Sequence, residues 1–133
     1  MSIYVTDTHP LIWFAGGEQR KLSPKALQAF QGCKAGKITI YVPVPTLWEI
    51  SLLVRIERIV LKKSFGLWCQ DLFRHPTFIP VPLEVEHLLE AHNLGFTTDP
   101  FDLLIVATAR TLGYPLITKD SAIEEANLLS TFW

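Results

Sequence analysis

The stretch "DPFDLLIVATARTLGYPLITKD", Asp99 to Asp120, decides the fold. Its first part, "DPFDLLIVATARTLG", reads as a helix that is apolar nearly all round and therefore buried. "YPLITKD" then reads as a strand ending at Asp120. Buried helices alternating with strands define an α/β chain. The two aspartates at the mouth of the helix allow two explanations. Asp99 before Pro100 makes a good N-cap, and Asp102 at the third helical position favours the positive end of the helix dipole. Capping alone can account for both. A charged site opening at the edge of the core is the alternative.

Working outward, the same alternation holds along the chain. "SIYVTD" is a short β-rich run ending at Asp7. "LSPKALQAFQGCKAG" is a helix with Ser23 as N-cap, Pro24 at the first position and Gly36 past its end. "KITIYVPV" is a second strand, closed by Pro43. "PTLWEISLLVRIERI" reads as a helix with Leu47, Ile50 and Val54 on one stripe. "SFGLWCQDLFRHP" is another helix, ended before Pro76, and "TFIPVP" is a short extended piece. "LEVEHLLEAHNLG" reads as amphipathic, with Val85, Leu88 and Leu89 facing inward and Glu86 and Glu90 outward. The tail "SAIEEANLLSTFW" has room for a turn of helix and a last edge strand. The expected architecture is a three-layer α/β/α sandwich around a mostly parallel sheet, built as a single domain over residues 1–133.

At 133 residues with 49% hydrophobic side chains, a chain of this size buries roughly two thirds of its unfolded surface and needs no staples. No apolar run approaches the ~20 residues of a membrane span. "MSIYVTDTHP" shows no basic region followed by a long apolar run, so a cytoplasmic protein is expected. Cys33 and Cys69 form no CxxC pair and read as thiols in a reduced compartment. Charge is unevenly spread. Residues 1–80 carry ten Lys or Arg against five acids, and residues 81–133 carry two against eight. This asymmetry fits a phosphate-bearing partner on one side and a cation site on the other, and it fits chance on solvated faces equally well.

The acids fall in a pattern. In open parallel sheets, sites form beyond the carboxyl ends of strands. Asp7 and Asp120 end strands, while Asp102 and Glu49 lie in first turns of helices. Four acids converging would repel one another unless they bind a divalent cation or some stay protonated. Ligation by carboxylate oxygens alone suits Mg²⁺ or Mn²⁺ better than Zn²⁺.

On the stretches "YVTDTHPLIWF", "LSPKA", "ITIYVPVPTLWEISLLV", "DPFDLLIVATA" and "LITKD", the sequence resembles the PIN-domain family, and within it the VapC-type toxins of toxin–antitoxin pairs. The resemblance implies that Asp7, Glu49, Asp102 and Asp120 bind Mg²⁺ or Mn²⁺ and support cleavage of RNA. It also implies that Asp99, Thr8 and Thr118 assist from outside the ligand set. It further implies a likeness in partners: a cognate antitoxin and a homodimer, with no membrane involvement. Three positions depart from many relatives: Thr97 stands in place of His, Leu103 in place of Arg, and Pro45 opens the helix that bears Glu49.

The implied reaction is in-line hydrolysis of a phosphodiester, with Asp7 as the central ligand. Arg20, Lys21, Arg55 and Arg58 are candidates to hold phosphates, or are ordinary surface charges. Trp13 and Phe14 read as packing residues or as platforms for bases. His9 can orient a ligand or simply fix the turn. His87 and His92 point to different faces of a helix, which excludes a zinc-protease pair. Leu52, Leu53 and Phe65 are candidates for a partner face or for core packing. Two other functions compete. A phosphatase with an aspartate nucleophile would usually have an acid where His9 stands. A binding module of the same fold would act without catalysis.

Overall fold

The computed structural model describes residues 2–133. Five strands form one sheet: β1 (Ile3–Thr6), β2 (Thr39–Pro43), β3 (Phe78–Val81), β4 (Leu116–Ile117) and β5 (Thr131–Phe132). Their order is β3-β2-β1-β4-β5, and every pairing is parallel. The mostly parallel sheet expected from the sequence is therefore wholly parallel. Parallel neighbours require crossovers, and the helices provide them. These are α1 (Thr8–Ala15), α2 (Pro24–Lys34), α3 (Val44–Arg55), α4 (Phe65–Phe73), α5 (Val85–His92), α6 (Pro100–Leu112) and α7 (Ser121–Ala126).

Strand alternation divides the core into two layers. Ile40, Val42 and Ile117 face one side, where they join Leu11 and Phe14 of α1, Phe30 of α2 and Trp68 of α4. Phe14 stacks on Phe30 with ring centres 5.0 Å apart. Val5 and Leu116 face the other side, against Ile105, Val106 and Ala109 of α6 and Ile123 of α7. The expected α/β/α sandwich is the observed one.

Local signals place several boundaries. Ser23 Oγ accepts from Ala26 N–H at 3.1 Å, and Pro24 opens α2, as expected. Pro45 is the second residue of α3, where a missing N–H costs nothing. The helix bearing Glu49 stops at Arg55, short of the expected "IERI". Glu57 there takes a left-handed φ of 60°, and the Arg58 N–H turns back to the Leu53 carbonyl at 2.9 Å. The segment after Asp7 is helical, which the sequence reading did not anticipate. Asp7 caps it by accepting from Thr8 N–H. β4 ends at Ile117, so Asp120 is not a strand end but the N-cap of α7.

The α5 face is a correction. Val85, Leu88 and Leu89 are 70%, 47% and 64% exposed, whereas His87 and Ala91 are buried. Two polar contacts fix this rotation. The Glu84 N–H donates to His87 Nδ1 at 3.0 Å, and Glu90, expected to face outward, pairs with Arg110 of α6 at 2.6 Å. Small Ala91 then faces inward, where a larger residue would hold the helices apart. Leu89→Glu should change stability by less than about 0.5 kcal/mol, while Ala91→Leu should cost about 1–3 kcal/mol by overpacking. Urea unfolding of the two variants checks this.

The order of strands places the site. The chain builds outward from β1 through β2 to β3, then crosses back to β4 on the other flank of β1. The reversal opens a crevice at the carboxyl ends of β1 and β4.

Candidate metal centre

Four separate segments bring acids to that crevice. Asp7 follows β1 and is only 7% exposed. Asp120 follows β4, Asp99 and Asp102 stand at the start of α6, and Glu49 projects from α3, which packs against both α1 and α6. All five acids line one hollow, together with His9, Trp13 and Lys119. The structure thus gathers Asp7, Glu49, Asp102 and Asp120, and Asp99 with them.

Hydrogen bonds set the carboxylates in place. The Asp7 backbone N–H bonds to the Ile117 carbonyl at 3.0 Å, which ties the ends of β1 and β4 together. Asp7 Oδ1 accepts from Thr8 N–H at 2.8 Å, and Oδ2 accepts from the Thr118 hydroxyl at 2.7 Å. The same Thr118 oxygen accepts from Asp120 N–H at 3.0 Å, so one hydroxyl orients both acids. Asp120 Oδ1 takes the Ala122 and Ile123 N–H groups, and Asp99 Oδ1 takes those of Phe101 and Asp102. Thr97 Oγ1 accepts from Asp99 N–H at 3.2 Å and so steadies the cap of α6. The capping explanation of Asp99 therefore holds, without excluding a site. Each carboxylate oxygen has two acceptor positions, and those turned to the hollow keep unused ones.

Electrostatic stress is concentrated here. Burial pushes the Asp7 carboxyl above its ordinary range despite the Thr118 and Thr8 hydrogen bonds. Glu49 is also raised, chiefly by burial, with Asp7 and Asp99 adding repulsion. Asp102 is raised to about 7 by burial and then by Asp7, Asp99, Asp120 and Glu49. Like charges so placed are stabilised by a cation in their midst.

The donor set fits a hard divalent ion, since it offers carboxylates and no thiol. The buried Thr46 Oγ1 makes no hydrogen bond among the described residues, and the Thr8 hydroxyl lies close enough to Glu49 to favour its ionised form. Among the described residues, no three His, Cys, Asp or Glu side chains form a ready-made chelating group. Asp7, Asp99 and Asp120 are each engaged as helix caps, and Mg²⁺ takes ligands partly through its own waters.

Lys119 and Thr46 were not singled out from the sequence. Lys119, between Thr118 and Asp120, reaches the Trp13 ring at 5.9 Å and supplies a cation at the rim. Thr46 lies one turn before Glu49. Trp13 is half-buried and lines the hollow, whereas Phe14 is buried and does not. Only their adjacency to the acids in the chain pointed to the first two. Leu52, Leu53 and Phe65 are half-buried, and the strongly exposed apolar residues are others, such as Trp48, Ile56 and Val60.

A parallel sheet with acids gathered at one edge is the arrangement that the sequence resemblance implied, and residues 4–128 match the PIN domain family. The chain belongs to the PIN-domain family. Within it, the chain is similar to the ribonuclease VapC22 of Mycobacterium tuberculosis, at 32% identity over 120 residues, covering 90% of this chain and 88% of that one. Its fold matches VapBC2 from Rickettsia felis bound to a DNA fragment from their promoter, with a TM-score of 0.71 and 16% identity over 98% of both chains. It also matches DNA-bound VapBC from Salmonella typhimurium, with a TM-score of 0.70 and 13% identity over 99% of this chain and 98% of that one. Among the described residues, no helix is long and apolar enough to cross a membrane.

Proposed function

We propose that this chain is an endoribonuclease dependent on Mg²⁺ or Mn²⁺, a cytoplasmic single-domain toxin of a type II toxin–antitoxin pair. The observation that carries the reading is the convergence of Asp7, Glu49, Asp102 and Asp120 from four segments onto one hollow. The 32% identity to a ribonuclease of the family supports the choice of RNA as substrate. A cognate antitoxin is the proposed partner, in keeping with the VapBC complexes that share the fold. A homodimer is proposed for the free toxin.

Asp7, Glu49, Asp102 and Asp120 would hold the ion, which supplies Lewis acidity toward the phosphate and a more acidic bound water. The chain's own residues do the rest. Thr118 fixes the Asp7 and Asp120 carboxylates against each other. Asp99 holds the start of α6, and with it Asp102, through its two N–H contacts. An aspartate-nucleophile phosphatase is disfavoured. Both Asp7 oxygens are engaged in hydrogen bonds, and His9, not an acid, stands two residues on.

Incubation with RNA tests the reading. Cleavage with Mn²⁺, lost on adding EDTA, is expected, and metal-independent cleavage or none would overturn it. Thr118→Val should lower Mn²⁺ affinity about 10–100-fold, as loss of an outer contact to a ligand does. Titration calorimetry on the folded variant measures it.

A further inference from the structure

The acidic hollow is one end of a longer groove. His9 and Trp13 of helix α1 and its C-cap Gly16 follow one another at spacings of four and three, on one stripe. His9 and Trp13 line the hollow and also a second depression that holds Lys21 and Arg58. Gly16, Val60 and Leu61 continue it into a third, bordered by Lys34 and Lys62. The groove follows α1, whose eight residues span about 12 Å. Its charge changes sign along the way, from carboxylates to cations.

The middle of the groove has a flat surface between ammonium groups. Lys21 and Lys119 each lie 5.9 Å from the centre of the half-buried Trp13 ring. Lys21 is shared with Glu18 at 3.2 Å. Arg58, Lys62 and Lys34 form no ion pair among the described residues. The left-handed turn at Glu57 and the Arg58 N–H bond to Leu53 fix the backbone from which the guanidinium extends.

We propose that this groove carries single-stranded RNA, with one base stacked on Trp13 and the backbone running past Arg58 toward Lys62 and Lys34. The proposal rests on the nuclease reading and assigns the path by which substrate reaches that site. An acidic peptide would suit the cationic stretch and be repelled at the acidic end, and a basic peptide the reverse. A phosphodiester strand suits both, because its phosphates pair with the cations and meet the acids through a divalent ion. A free strand is required because a base must leave its neighbours to lie on an aromatic face.

The test is fluorescence anisotropy of a labelled single-stranded RNA of about ten nucleotides, in EDTA so that nothing is cut. Trp13→Leu should weaken binding about 10-fold, with Trp13→Phe retaining most of it. The double variant Arg58→Gln with Lys62→Gln, both exposed, should lower the slope of log affinity against log salt by about 1–1.5. Lys25→Gln, outside the groove, should change neither affinity nor slope, and Mn²⁺ affinity should stay at the wild-type value in it and in the Arg58→Gln, Lys62→Gln double variant. Wild-type RNA affinity and slope in the double variant would overturn the proposal. So would a wild-type protein that takes an acidic apolar peptide in this groove and no RNA. A protein that binds the strand here yet cuts nothing with Mn²⁺ would instead overturn the nuclease reading and leave the groove assignment standing.

Discussion

Asp7→Asn is expected to abolish RNA cleavage, by about 1,000-fold or more, without unfolding the protein. Asp7 stands at the end of the central strand, with the other acids ranged around it. Its two hydrogen bonds, from Thr8 and Thr118, determine the outcome. Asparagine keeps the acceptor oxygen for one, so the cap of α1 survives. It cannot offer a second anionic oxygen, so the charge that would hold a divalent ion and the orientation shared with Asp120 through Thr118 are lost together. Loss of one preorganised charged group at a reacting phosphate is commonly worth about 10²–10³-fold, and loss of the ion itself more. The check is a cleavage assay with Mn²⁺ alongside circular dichroism. Near wild-type turnover in a folded variant would mean that Asp7 is a cap and nothing more.

The second large effect is on stability. The Asp102 carboxyl titrates near 7 in the folded protein and near its ordinary 3.8 when unfolded. Between those values the folded state holds a proton that the unfolded chain has released, so stability falls as pH rises from about 4 to about 7. Asp7 and Glu49, raised by burial, act in the same direction. The metal-free protein should therefore melt at a lower temperature at pH 8 than at pH 5. Asp102→Asn removes the like charge without changing shape. With solvent screening of this half-exposed group allowed for, it should contribute about 1–2 kcal/mol at pH 8, or about 3–8 °C in Tm, and nearly nothing at pH 4. Millimolar Mn²⁺ should raise Tm in the wild type and do so more at pH 8 than at pH 5, since ligation requires the ionised acids. Thermal melts of both proteins at pH 4, 5 and 8, with Mn²⁺ or with EDTA, give these values. A Tm that is flat with pH, or equal shifts in wild type and Asp102→Asn, would show that the acids do not share one field.

Much of the fold was written locally. Ser23 and Pro24 announce α2, Ser64 announces α4, and Asp99 with Pro100 announces α6, because caps and prolines act through the neighbouring residues alone. Alternation of helices and strands then implied the layered sheet. Long-range competition decided what was misread. The apolar pattern of Val85, Leu88 and Leu89 outnumbers His87 and Ala91, yet the contacts of α5 with α6 turned the polar and small residues inward. Helix α1 was missed because "DTHPLIWF" carries Pro10 inside its first turn, where only the cap from Asp7 makes the helix evident.

The site divides in the same way. The convergence of Asp7, Glu49, Asp102 and Asp120 was readable because strand ends and helix starts in a parallel sheet share an edge, and family resemblance singled out these four acids. Lys119 was not, and Trp13 stood only as a packing residue or a base platform, because their pairing spans more than a hundred residues and leaves no local trace. The double role of Thr118 was likewise invisible until β1 and β4 lay side by side.

The most direct measurement is anomalous scattering from crystals soaked in Mn²⁺. A peak enclosed by the carboxylates of Asp7, Asp102 and Asp120, with Glu49 nearby, is the predicted result. A protein saturated with Mn²⁺ that shows no peak in this hollow, or binds the ion only elsewhere, would contradict it.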